Sequence, residues 1–333
     1  MNRYIFPFLL CASAALSQPK TLGKIHIVHP SGEELIDQNT PIEILAEGFE
    51  WSEGPLWWKE ENALLFSDVP KNTVYIWRAN GEGALPYIKP SGYTGVLKYS
   101  SEPGSNGLTR DLNGNLVSCE HGDRRISYLP MNKAGGKRTL TDNINGKRFN
   151  SPNDVVVDSK GRVFFTDPPY GLPEREKDKN METGVFGVYL WDKGKTTLII
   201  KDLTRPNGLA LSPDEKTLYI AQSDMQRAYY MKYPILTTGL VGKGSIHFDA
   251  TPMGKSGLRG APDGIKVDEK GNIWGTGPGG ILVISPKGEL LARIETGQAT
   301  ANCAWGDDGS TLYITADMYL CRVKTKVKGV PFR

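Results

Sequence analysis

The sequence predicts an all-β fold: a six-bladed β-propeller closed by pairing of an N-terminal strand with the last blade. Three observations predict it. A unit of two β-branched or aromatic runs joined by a Gly-bearing turn recurs six times, opening at Glu53, Asn106, Asn153, Asn207, Asp263 and Asn302, with 39 to 56 residues between successive openers. Strand-rich self-similarity at about that period is the signature of propeller blades. The sixth unit supplies three strands where a blade has four, and a β-rich segment at 41–49 precedes the first unit, so the two ends of the chain complete one blade between them.

The clearest copy of the unit is SPNDVVVDSKGRVFFTD, 151–167, with strands at 155–157 and 163–165 around a turn at 158–161. The others read EGPLWWKEENALLFSD from Glu53, NGLTRDLNGNLVSCE from Asn106, NGLALSPDEKTLYIAQ from Asn207, DGIKVDEKGNIWGTG from Asp263 and NCAWGDDGSTLYITA from Asn302. In the third blade an insertion, 168–187, separates the hairpin from the next strand, 188–191, and reads either as a lid over one channel mouth or as a plain surface loop. The last blade has strands near 301–305, 311–315 and 319–323, and 42–46 is the strand that closes the ring. Without it the last sheet would leave an unpaired edge.

Three regions follow: a signal peptide at 1–17, an N-terminal extension at 18–40 and the propeller catalytic domain at 41–333. The leader pattern is a short positive start at Arg3, an apolar run over 4–15 and small residues for cleavage, which predicts export to the periplasm or the extracellular space. The extension is polar and carries His26 and His29 in no recognisable pattern. With Cys11 in the leader, the mature chain keeps Cys119, Cys303 and Cys321, an odd number without CxxC spacing, read as core thiols. A net charge of +3 with scattered Lys and Arg gives no footprint for nucleic acid or a membrane surface. The 38 Gly and 22 Pro suit a turn-rich β protein. Oligomeric state is left open.

Because the first strand of each blade lies nearest the axis and the second returns antiparallel, the six openers gather at one mouth with the strand ends Asp68, Glu120, His121, Asp167, Gln222, Asp224 and Asp317. Carboxylates and carboxamides repeated at one structural position form an all-oxygen nest suited to a hard divalent cation, most naturally Ca²⁺, with Mg²⁺, Mn²⁺ or Zn²⁺ as alternatives. Each opener alone is equally a strand-start or turn former. A cation with free positions suits hydrolysis of an ester or lactone, with Asp263 as the general base. His121 is a second acid/base candidate, or else a structural hydrogen-bonding residue. No GxSxG elbow occurs.

These motifs, Glu53-Gly54-Pro55, Ser151-Pro152-Asn153-Asp154, Pro206-Asn207-Gly208-Leu209 and Pro262-Asp263-Gly264, resemble the regucalcin/gluconolactonase family of six-bladed propellers over roughly 41–323. The 106–125 segment looks like the second blade of its bacterial and fungal gluconolactonase branch. The resemblance implies a divalent cation held by Glu53, Asn207 and Asp263, with Asn153 as a further ligand or substrate contact, Asp263 as proton acceptor, and a sugar lactone opened to its aldonic acid. Asn106 and His121 belong to the implied substrate pocket. Animal members carry Arg two residues before Asn153, where this chain has Ser151; Arg148 is the candidate replacement. Organophosphate or other ester hydrolysis on the same metal site, and non-enzymatic binding of metal and sugar, are the alternative functions.

Overall fold

Side-chain alternation along each strand decides how the sheets stack. Val163 and Phe165 join an apolar cluster shared with the preceding blade, whereas Phe164, between them, joins one shared with the following blade. In the computed structural model, which describes residues 19–330, this pattern repeats. Six apolar clusters occur, one at each interface between neighbouring blades. Sheets buried on both faces pack side by side and bend into a ring.

The blades are sequential antiparallel sheets. Blade 1 runs through Ser52–Trp58, Ala63–Asp68, Thr73–Arg78 and Gly83–Ile88. Blade 2 has Ser105–Arg110, Leu116–Glu120, Arg125–Leu129 and Arg138–Thr141; blade 3 has Val155–Val157, Val163–Asp167, Gly187–Asp192 and Lys195–Ile200. Blade 4 comprises Pro206–Leu211, Thr217–Gln222, Tyr229–Pro234 and Ser245–Asp249. Blade 5 comprises Ile265–Val267, Ile273–Gly277, Gly280–Ile284 and Leu290–Glu295. In blade 6, Thr300–Gly306, Thr311–Ala316 and Tyr319–Lys324 are completed by Glu43–Glu47, which pairs antiparallel with Tyr319–Lys324. The ends of the chain close the ring as predicted.

The 18–40 segment, set apart in sequence as an extension, is joined to the propeller. Its Lys24–Ile27 strand is the fifth, outermost strand of blade 5, and His26 pairs with Glu295 at 2.6 Å. Leu35, Ile36 and Ile42 are buried in the cluster between blades 5 and 6. The signal-peptide pattern at 1–17 lies outside the described residues. Cys119, Cys303 and Cys321 are free and buried.

Two recurring polar devices shape the blade ends. At the far end, Asp158 and Asp268 each accept backbone N–H groups of their own turns, with Gly161 and Gly271 at positive φ. At the mouth end, Asp68 accepts from the backbone of Glu50 and Trp51, Asp167 from Asn150 and Ser151, and Gln222 from Thr204. These strand-end side chains clamp the segment entering their own inner strand.

Deletion through Pro19 leaves every described strand intact and is expected to keep Tm within about 2 °C. Deletion through Glu50 removes the outer strands of blades 5 and 6 and is expected to abolish the cooperative thermal transition, monitored by near-ultraviolet circular dichroism.

Candidate active site at the channel mouth

Inner strands that converge on an axis run out of room, and the residue after each opener shows it. A Cβ on Gly54 would lie 2.0 Å from the Asn106 carbonyl oxygen, one on Gly208 2.1 Å from that of Asp263, and one on Gly264 2.0 Å from the Asn302 side chain. The Asn-Gly pairs at 106–107 and 207–208 that read as turn formers therefore sit inside strands, and Asp263-Gly264 leads directly into one, at places where only glycine admits the neighbouring blade. In four inner strands the pairing register shifts at the opener, between Glu53 and Leu56, Ser105 and Leu108, Pro206 and Leu209, and Thr300 and Asn302. Such bulges re-aim the opener side chain into the channel.

The structure brings Glu53, Asn207, Asp263 and Asn302 into one interacting set. Glu53, 2% exposed, accepts hydrogen bonds from Gly54 N at 2.9 Å and from Asn302 Nδ2 at 3.2 Å. Burial, reinforced by the charge of Asp154, pushes its carboxyl up to about 7. Asp263 is the only opener not fully buried. Its carboxyl nevertheless lies deep among protein atoms, and this depth, with Glu53 and Asp154 nearby, raises it well above the usual carboxylate range, while the Asn207 amide favours the ionised form. Asn207 Nδ2 also donates to Ser223 Oγ at 2.9 Å, and Ser223 in turn donates to the Pro262 carbonyl. Asn106 and Asn153 are buried in the same wall, where the Asn153 carbonyl accepts from Gly107 N at 2.7 Å.

Three residues escaped the sequence reading. Asp154 is buried in the slot that glycine fills in four other blades, and that departure was its signal. Burial raises its carboxyl too, against the pull of Lys266. Lys266 reaches Asn302 Oδ1 at 3.3 Å and is the cation that the charge of these carboxylates meets in the channel. Tyr170, on the insertion, directs its phenol toward Ser223 and Asp263. Neither Lys266 nor Tyr170 stands out in sequence.

The insertion covers the mouth. Ser151 Oγ donates to the Pro168 carbonyl at 2.6 Å and accepts from Gly171 N at 3.0 Å, and Gly171 packs against the base of the His121 side chain. Further out, Arg175 pairs with Glu102 at 3.2 Å and Glu176 with Arg205 at 2.6 Å, so the segment is tied to blades 2, 3 and 4. An arginine at 151 would meet this insertion. Arg148 does not take its place: it donates to the Asp123 carbonyl at 2.6 Å and lines a separate cavity of about 630 Å³, bordered also by Tyr93, Tyr99 and Arg124, which none of the openers lines.

His121 is fully buried, and burial holds its imidazole down at about 4. Its Nδ1 lies 3.1 Å from the Glu102 carbonyl, which can only accept, so the proton of the neutral ring sits on Nδ1 and Nε2 is a lone-pair acceptor. That Nε2 is one of five buried polar atoms near the mouth without a hydrogen-bond partner, the others being Asn106 Oδ1, Asn207 Oδ1, Asp154 Oδ2 and the Tyr170 hydroxyl. Native interiors pair the large majority of such atoms, so their gathering here points to a partner from outside the chain, a water, an ion or a ligand. Among the described residues no group of three or more His, Cys, Asp or Glu could hold a metal, so an ion bound here depends on amide oxygens as well as carboxylates.

The SMP-30/gluconolactonase/LRE-like region is matched over residues 51–317. The chain belongs to that family. A gluconolactonase of Zymomonas mobilis is 39% identical over 93% of this chain and 88% of its own length. Among solved structures, a putative gluconolactonase superposes with a TM-score of 0.80 at 30% identity, covering 92% of this chain and all of the other, and a gluconolactonase from Xanthomonas campestris with 0.78 at 27%, covering 92% and 96%. A calcium-binding regucalcin from Agrobacterium tumefaciens, at 20% identity and a TM-score of 0.67 over 86% of this chain and 94% of its own, shares the fold.

The buried neutral imidazole has a consequence for stability. Between about pH 4 and 6.5 the unfolded chain binds a proton on His121 that the folded protein excludes, so this residue makes stability rise with pH across that window and level off above it. The span corresponds to on the order of 3 kcal/mol. His121→Gln is expected to flatten the difference in unfolding free energy between pH 4.5 and pH 7 by about that amount in urea titrations.

Proposed function

We propose that this protein is a divalent-cation-dependent hydrolase that opens a sugar lactone to its aldonic acid. The observation that carries the cation is the group of buried, partnerless oxygens, Asn207 Oδ1, Asp154 Oδ2 and Asn106 Oδ1, beside Glu53 and Asp263. Lone pairs crowded without donors, next to carboxylates that repel one another, are relieved by positive charge. Glu53, Asn207 and Asp263 would hold the ion, with Asn153 beside them; Ca²⁺ suits the all-oxygen set best, and Mg²⁺, Mn²⁺ and Zn²⁺ are the alternatives. The gluconolactonase and lactonohydrolase relatives support the lactone as substrate class.

When bound, the cation supplies the charge that polarises the lactone carbonyl. The protein's own residues do the rest. Asp263, ionised once its neighbours' charge is offset, accepts a proton from the water that adds to the carbonyl carbon. The bond from that carbon to the ring oxygen then breaks as Asp263 passes the proton it took to the ring oxygen, which leaves as a hydroxyl. Asn207 holds Asp263 in place through its amide, which Ser223 orients in turn. His121 Nε2 accepts a hydrogen bond from a substrate hydroxyl. The insertion excludes bulk water. Export through the 1–17 leader is part of the same proposal and rests on the signal-peptide pattern alone.

Asp263→Asn is expected to lower kcat for glucono-1,5-lactone by at least about 100-fold, with the thermal transition retained; near-normal turnover removes Asp263 from the mechanism. Chelator treatment is expected to abolish hydrolysis, and Ca²⁺, Mg²⁺ or Mn²⁺ to restore it, in a pH-indicator assay of acid release. Full activity after exhaustive chelation removes the cation.

A further inference from the structure

We propose that Tyr170 is a substrate-specificity residue delivered by the lid, donating a hydrogen bond to a hydroxyl of the bound sugar and so selecting polyhydroxylated lactones over plain ones. The inference rests on the lactonase reading of the same site and adds a residue and a selection principle to it. Tyr170 comes from the insertion, not from the ring of inner strands. Its hydroxyl is buried without a hydrogen-bond partner. Ser223 lies close by, but its own proton goes to the Pro262 carbonyl and one of its lone pairs to Asn207, so it has no proton to offer the phenol.

The lid's attachments fix where that phenol goes. Gly171, the next residue, is pressed against His121 and Ser151, where a Cβ would lie 2.4 Å from the His121 Cβ, and Gly171 N is held by Ser151 Oγ. Leu172 is 1% exposed, an apolar plug under the lid. The Arg175–Glu102 and Arg205–Glu176 pairs latch the outer part to the blades on either side of blade 3. Tyr170 is therefore held over the wall formed by the openers, on the side of Asp263. A substrate whose carbonyl faces that wall presents its remaining hydroxyls to the lid.

Around those hydroxyls the protein offers a donor, Tyr170 OH, and an acceptor, His121 Nε2, both buried and unpaired. A lactone without hydroxyls would bury them still unpaired, whereas a polyol ring pairs them. Sites built to bond a hydroxyl reject the analogue that lacks it, because the site's own polar groups are left bare. Burial also holds the phenol above its ordinary range, so Tyr170 stays protonated and takes no part as a base.

The test compares wild type with Tyr170→Phe, which removes one oxygen and leaves the ring packing, using KM and kcat for glucono-1,5-lactone and, by calorimetry, the Kd of D-gluconate, the open-chain acid with the same hydroxyls. Both KM and Kd are expected to rise about tenfold, with kcat within about twofold and Tm unchanged. Glu176→Gln, which breaks the Glu176–Arg205 latch and leaves the phenol oxygen in place, is expected to raise KM in wild type but to add nothing in the Tyr170→Phe background. Unchanged KM and Kd, a loss confined to kcat, additive effects of the two substitutions, or no binding of gluconate to wild type each overturn the proposal. A wild type that binds gluconate without opening any lactone, but loses that binding in Tyr170→Phe, refutes the lactonase reading and leaves the role of Tyr170 standing.

Discussion

Crowding at the propeller axis is the constraint on which the rest of the structure depends. Six inner strands meet there, and beside four of the openers, Glu53, Asn106, Asn207 and Asp263, there is no room for a side chain, so the next position is glycine. The same crowding forces the bulges that turn the openers inward. What stabilises this unfavourable convergence is remote from it: six apolar interfaces between blades, each built from alternate residues of two sheets. Core packing holds polar side chains together that would otherwise separate.

The electrostatics of the mouth follow from that enforced proximity. Burial raises the proton affinity of Glu53, Asp154 and Asp263 alike; the charge of Asp154 raises Glu53 further, both raise Asp263, and Lys266 answers only part of this for Glu53 and Asp154. A second cluster of unsatisfied groups, His121 Nε2 and the Tyr170 hydroxyl, belongs to the lid side. The two clusters differ in chemistry: oxygens wanting positive charge on the ring side, neutral hydrogen-bonding groups on the lid side. A reacting carbonyl and a polyol tail have correspondingly different demands.

Much of this was legible in the chain because it repeats. The hairpin at 151–167 has the strands and turn read from its letters, and the closing strand lies at Glu43–Glu47, a residue from its expected position. The openers were recognisable as a set since turn chemistry explains an asparagine but not Glu53. The strand-end acids were less transparent. Asp68 and Asp167 looked like mouth residues available to a ligand, yet their oxygens are spent on backbone N–H groups next to the inner strand. Arg148 was expected beside Ser151 on proximity in sequence, but a two-residue hairpin strand carries it toward Asp123.

The sequence by itself determined the period, the hydrophobic alternation and the residue type at each opener, because these are local properties that repeat with each blade. Only the tertiary structure decided that Asp154 and Lys266 enter the channel, that the N-terminal segment adds a strand to blade 5, and that the insertion sets Tyr170 over Asp263. Those facts depend on which parts of distant blades come into contact when the ring closes, and a side chain's partners across an axis leave no mark on its neighbours along the chain.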